Sequence, residues 1–155
     1  MRYFLTVPPG LETLAKNEIE RKLQAKVRIK PFGLAGHLLI DYSGKEENLL
    51  KLRGVYNVYR YLKCFKFERL DDLYEKVKKV EIGIGKTFRV TSRRSGTHDF
   101  TSIDVQRIAG KAIAEKYGRK VDLKNFETEI EVDIIDNKCW VGVKLNRENL
   151  SWRDY

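Results

Sequence analysis

A chain of 155 residues with 42% apolar and 11% aromatic side chains can bury a core in one ordinary domain or two small ones, and is too apolar to be disordered. Its 31 Lys and Arg against 22 Asp and Glu leave a formal charge of +9 and a pI near 9.5, which points to a polyanionic partner without separating RNA, DNA and acidic membrane. No apolar run approaches the roughly 18 residues of a membrane span, and the opening Met1-Arg2-Tyr3-Phe4-Leu5 is too aromatic for a secretory signal, so a cytoplasmic protein without a membrane role is expected.

Tyr3 to Val7 reads as a strand stopped by the turn at Pro8-Pro9-Gly10. Leu11, Leu14, Ala15, Ile19 and Leu23 then recur at helical spacing, predicting a helix over about 11–24. Val27 and Ile29 alternate with Lys26, Arg28 and Lys30 in a second strand, and Leu38–Tyr42 forms a third. Lys45–Arg53 is expected as a second helix around Leu49, Leu50 and Leu52, and Tyr59–Phe67 as a fourth strand. The order β-α-β-β-α-β is that of a ferredoxin-like unit. Cys64 and Cys139 sit in apolar, strand-like surroundings and are expected to be buried, unpaired thiols. Abundant Lys, Arg and Glu with two Gln and one Met lean towards a thermophile.

From Leu70 the pattern changes. Leu70, Leu73, Tyr74, Val77 and Val80 predict a third helix with a lysine-rich outer face at Lys76, Lys78 and Lys79. Residues 86–120 then carry nine Lys and Arg against three Asp and Glu. Thr87–Ser92 alternates as a strand, with Phe88 and Val90 on one face and Arg89, Thr91 and Arg93 on the other. Arg93 to His98 reads as a polar loop. Thr101 stands three residues before Asp104 in a weak capping box, followed by the helical stripe Val105, Ile108, Ala109, Ala112 and Ile113. Finally, Ile130, Val132 and Ile134 alternate with Glu129, Glu131 and Asp133, and Asp136-Asn137 turns the chain into Cys139–Leu145. That hairpin is expected to present its acidic stripe outwards, away from any polyanion.

For any one of these cations a solvated face is the simpler account. Together they make a surface suited to phosphates. Lys86, Arg89, Arg93, Arg94, His98, Thr101, Arg107 and Lys111 are the expected RNA contacts, with Gly110 allowing close approach of a backbone. Catalytic and metal chemistry is not visible. Gly85-Lys86-Thr87 has the tail of a phosphate-binding loop, but Val80 stands where its first glycine would be and a strand follows. His37 and His98 have no metal-ligand spacing around them. Ser92, Ser95 and Ser102 near His98 are more simply loop and cap hydroxyls. Tyr56, Tyr59, Tyr61, Phe65 and Phe67 cluster in one predicted strand, which favours core packing over base stacking. No Gly-rich strand-to-helix turn for a nucleotide cofactor is present, so no cofactor is expected.

Several of these segments carry a resemblance. Pro9-Gly10-Leu11-Glu12 and Leu70-Asp71-Asp72-Leu73-Tyr74 are similar to the opening unit and junction of THUMP-domain RNA methyltransferases that act on guanine N2. Phe88-Arg89-Val90, the set Arg94, Gly96, His98, Phe100, Thr101, Ser102 and Asp104, then Gly110-Lys111-Ala112-Ile113 and Val121-Asp122-Leu123 with Asn125 resemble the THUMP signature. The resemblance covers nearly the whole chain. It implies an α/β (α+β) protein: a ferredoxin-like domain over 1–68, then a THUMP domain over 69–155 with a mixed sheet and packed helices. It also implies binding of the acceptor or 3′ end of tRNA, or of another structured RNA, and its presentation to a methyltransferase domain or subunit. Two departures stand out. Asn125-Phe126-Glu127 occupies the place of Asn-Pro-Asp, and the segment from Leu145 to Tyr155 replaces a glycine-rich ending. They leave open a second reading, a protein-interaction adaptor with a decayed RNA site. The adjacent prolines Pro8-Pro9 follow Val7, so the catalytic Asn/Asp-Pro-Pro-aromatic motif is missing and the chain is expected to be non-catalytic.

Overall fold

A computed structural model describes residues 1–148 and Leu150, and the chain divides into two units. The first joins Met1–Tyr61 to the described residues from Lys144 on; the second is Leu62–Val143. The closing residues of the segment that departs from the family, Asn149 and 151–155, lie outside the described set.

The first unit contains β1 (Arg2–Thr6), α1 (Glu12–Leu23), β2 (Lys26–Ile29), β3 (His37–Asp41), α2 (Glu46–Leu49) and the first half of β4 (Asn57–Lys66). β1 lies between β3 and β4, antiparallel to both, with Phe4 opposite Leu39 on one side and Tyr59 on the other; β2 closes the order β2-β3-β1-β4. This is the ferredoxin-like arrangement that the element order implied. The inward residues Tyr3, Leu5, Ile40 and Val58 meet Ile19 of α1 and Leu49 of α2 in one core. Glu12 explains the Pro9-Gly10-Leu11-Glu12 segment. It is 3% exposed, and its carboxylate accepts the Gly10 N–H at 2.7 Å and the Gly36 N–H at 2.8 Å, tying two turns together. Gly36 has φ +74°, and a Cβ there would meet the Val7 carbonyl oxygen at 2.8 Å, so only glycine fits. The second helix is shorter than expected. After Leu49 the chain continues in turns that still bury Leu52, so the leucine spacing is met without a longer helix.

The second unit takes the remainder of β4, then α3 (Leu70–Lys78), β5 (Thr87–Thr91), β6 (Arg94–Ser95), α4 (Ser102–Tyr117), β7 (Lys120–Val121), β8 (Thr128–Ile135) and β9 (Lys138–Lys144). β5 is flanked by β7 and β8, both parallel to it, and β9 borders β8 on its other side, giving a mixed sheet. Phe88, Val90, Ile130, Val132 and Ile134 face one way and pack with Leu73 and Val77 of α3 and Val105, Ala109 and Ile113 of α4. Burying each large apolar side chain in such a layer is worth about 1.5–3 kcal/mol. The helices run side by side in the same sense: the Arg69–Asp71 end of α3 neighbours Phe100 and Asp104, and its Val80 end meets Lys116 and Tyr117.

Three expectations are corrected here. Arg94 and Ser95 are not loop; they form β6, parallel to Ile134 and Ile135, with the Asp136 N–H bonded to the Ser95 carbonyl. The acidic stripe of β8 does not face solvent: Glu129, Glu131 and Asp133 are 8%, 2% and 8% exposed, because β8 is an interior strand. Cys139 is buried as expected, but Cys64 is only half-buried; neither is in a disulfide. Among the described residues no helix is long and apolar enough to cross a membrane.

Candidate nucleic-acid interface

The surface begins with α4. Thr101 caps it: its hydroxyl accepts the Asp104 N–H at 3.2 Å while Asp104 takes the Thr101 N–H at 2.8 Å, the capping box the sequence suggested. That exchange holds the Asp104 carboxyl below its ordinary range, chiefly through the Thr101 N–H. Gly118, at φ +64°, ends the helix and turns the chain into β7. β7 pairs only with Thr87 and Phe88, and the Asp122 N–H donates to the Phe88 carbonyl at 2.9 Å. Val90 faces the same strand edge two residues on, where β7 has ended.

A groove of about 370 Å³ therefore opens between α4 and that edge. Val90, Ile103, Ala114, Val121 and Leu123 make it apolar, Gln106 lies among them, and Arg107 and Lys111 stand on its rim. Ile103, Val121 and Leu123 are 62%, 50% and 65% exposed, so this apolar surface is open to a ligand. Gly110 lies at its base, and a Cβ built there would meet no atom within 4 Å. The loop after β7 is held in place: the Asp122 carboxylate accepts the N–H groups of Asn125 (2.8 Å) and Lys124 (3.0 Å), which draws its pKa down. Arg89 staples the same loop, reaching the Leu123 carbonyl at 3.4 Å, the Glu129 carboxylate at 2.8 Å and the Phe126 ring at 4.9 Å. The Phe126 departure from the family pattern thus supplies a stacking partner for Arg89.

The eight expected contacts hold different places in the second unit. Arg107 and Lys111 line the groove. Arg89 is engaged in the staple. Lys86 is exposed at the start of β5, its N–H donating to Glu127 at 3.1 Å. Thr101 is taken up by the cap. Arg94 donates to the Gly96 carbonyl at 3.0 Å and to His98 Nδ1 at 2.7 Å. Since Nδ1 accepts, Nε2 carries the proton and donates to the Asp136 carbonyl at 2.7 Å. His98 and Arg94 therefore knit the β6–α4 loop to the β8–β9 turn, beside a hollow that also contains Glu68, Asp99 and Asp136. Arg93 is exposed; its N–H donates to Asp133 at 2.9 Å, and its guanidinium acts on Glu131. Ile103, Gln106, Val121 and Leu123 line the groove and were not among the expected contacts. Their signal was three apolar side chains out of phase with the buried stripe of α4 and the strand edge. Among the described residues no group of three or more His, Cys, Asp or Glu is placed to hold a metal.

Comparison with known proteins adds to this geometry. The THUMP domain model matches residues 67–144. Over its whole length the chain is 32% identical to tRNA (guanine(6)-N2)-methyltransferase of Archaeoglobus fulgidus, covering 43% of that protein. Over 72% of its length it is 42% identical to tRNA sulfurtransferase of Thermoplasma volcanium, covering 23% of that protein. The crystal structure of TrmN from Thermus thermophilus superposes on 99% of the chain with a TM-score of 0.82 and 28% identity, covering 48% of TrmN. The chain thus spans less than half the length of each of these three proteins.

Proposed function

The chain belongs to the THUMP-domain family, and from that premise we propose that it binds RNA, holding the single-stranded 3′ end of a tRNA in the groove beside α4. The groove carries the proposal. Its uncovered apolar floor offers a surface for unstacked bases, Arg107 and Lys111 offer charge to phosphates, and Gly110 lets a sugar–phosphate backbone come close. The relatives support it in a second way. A guanine-N2 methyltransferase and a sulfurtransferase perform different reactions, yet both contain a region similar to this chain. A part shared across different chemistries serves what they have in common, the tRNA. The chain itself is non-catalytic and needs no cofactor; the reaction falls to a methyltransferase domain or subunit that receives the RNA. The cytoplasm, where that RNA is met, is the compartment for such a role.

Binding of tRNA measured against salt concentration is the test. Phosphate contacts from Arg107 and Lys111 on a single strand contribute about −1.4 to the slope of log K on log salt, from about −0.7 per contact. The double change Arg107→Ala, Lys111→Ala should flatten that slope by about 1.4. The melting temperature should stay nearly constant, since exposed charges contribute under about 1 kcal/mol each. Removing the single-stranded 3′ nucleotides from the tRNA should weaken binding to the native chain. Equal affinity for trimmed and intact tRNA would overturn the assignment. Absence of salt-dependent tRNA binding would leave the adaptor reading in its place.

A further inference from the structure

The groove leaves unused the lysine-rich outer face of α3. Its end, with the Leu62–Phe65 stretch of β4, encloses a second hollow of about 510 Å³ floored by Leu62, Phe65 and Val80 and edged by Lys63, Lys76 and Lys79. The single carboxylate in its lining, Glu81, is paired with Lys116 at 3.2 Å, so the hollow keeps its positive charge. From there the charge continues across the helix pair. Lys78 and Lys111 stand over the Tyr74 ring at 5.2 and 5.8 Å, and Lys111 is also on the rim of the first groove. Glu75 on the outer face of α3 and Glu115 on α4 interrupt the run; Glu115 is engaged by the Tyr74 hydroxyl and by Lys78 at 3.7 Å, and Lys78 also feels Glu75.

The aromatic groups decide what such a track accepts. Lys76 lies 6.0 Å above the Phe65 ring, and Tyr74 carries two ammonium groups, so both rings already hold cations. They are poor platforms for unpaired bases, unlike the open floor beside α4. Base-paired A-form RNA needs no such platform: its bases are stacked inside and it presents phosphates outwards. Lysine, a compact charge on a flexible stem, suits contacts that fix position without reading sequence. We propose that the track from Lys63, Lys76 and Lys79 across α3 to Lys111 is a second RNA surface, gripping the phosphates of a double-stranded stem next to the single-stranded tail. This rests on the RNA-binding reading above and adds a separate partner for a separate surface.

The test compares the native chain with Lys63→Ala, Lys76→Ala, Lys79→Ala on two RNAs: a hairpin bearing a single-stranded 3′ tail, and the tail alone. Hairpin binding should fall roughly tenfold near physiological salt, with the salt slope less negative by about 2. Tail binding should change less than about twofold. Because Lys76 also donates to the Lys66 carbonyl, the variant Lys63→Glu, Lys79→Glu, which keeps Lys76, should reproduce the selective loss with an unchanged melting temperature. Native-like hairpin binding by both variants overturns this proposal and leaves the groove untouched. Equal weakening on hairpin and tail overturns it too, placing the lysines on the single strand. If the native chain binds neither RNA, both readings fall.

Discussion

Glu131 is the residue whose environment differs most from its sequence. It alternates with isoleucine and valine as a solvent-facing carboxylate would, yet it is 2% exposed and its Oε2 has no hydrogen-bond partner among the described residues. Burial first, then the neighbouring Asp133, push its pKa well above the ordinary 4.5, with Arg93 pulling weakly the other way. A carboxyl raised on folding favours the folded state below its ordinary pKa, and that contribution is lost as pH rises towards the folded value. Glu131→Gln keeps the shape of the protonated acid and removes the titration. Its melting temperature should match the native chain near pH 4.5 and exceed it increasingly above neutrality. Parallel pH profiles would show that Glu131 is ionised in the fold. Glu12 has the opposite sign. The Gly36 N–H and the further donors at the turn lower its pKa, so its contribution is present above pH 4.5 and fades as pH falls below it.

α4 shows what could be read from sequence at the scale of an element. Thr101 with Asp104 gave its start and the stripe from Val105 to Ile113 its buried face. Those signals are local, so they were legible. The groove was not, because it depends on how far β7 extends, and two residues of pairing leave no periodicity to detect. The burial of the β8 stripe was hidden for the same reason: alternation reports two faces but not whether a strand is interior. The bonds of Arg94 and His98 to backbone carbonyls were equally hidden, because a basic loop looks free in one dimension. Gly110 separates stability from function on this helix. Gly110→Ala adds a Cβ into open space and removes the glycine penalty, about 0.5–1 kcal/mol, or about 1–4 °C in melting temperature. Gly110→Leu fills the groove floor, and tRNA affinity should drop about tenfold, the loss of roughly 1.4 kcal/mol of contact. Unchanged affinity in the leucine variant would remove the groove from consideration.

Across the whole molecule the positive charge is uneven: residues 121–155 carry five basic and eight acidic groups, while 86–120 is strongly basic. The two units are also interleaved in sequence, since the first unit resumes after the second is complete. Where the sequence placed one boundary near 68–69, the chain crosses between units at 61–62 and again at 143–144. Asn146 makes the return. Its side chain accepts the Val58 N–H at 2.9 Å and donates to the Tyr56 and Glu148 carbonyls and to Asn57. Asn146→Ala should cost about 1–3 kcal/mol by stranding buried partners. Hydrogen exchange at the Val58 amide should rise accordingly, and native-like protection there would rule the clamp out. The interleaving governs assembly as well. The Val58–Asn146 bond spans 88 residues, and closing so long a loop in an unstructured chain costs on the order of 4 kcal/mol of entropy. Once the Phe67 N–H and Asn137 carbonyl have paired at 3.0 Å, most of that loop is already closed. During synthesis the opening strands must therefore wait, unclamped, for an inserted module to fold and carry their last contact back to them.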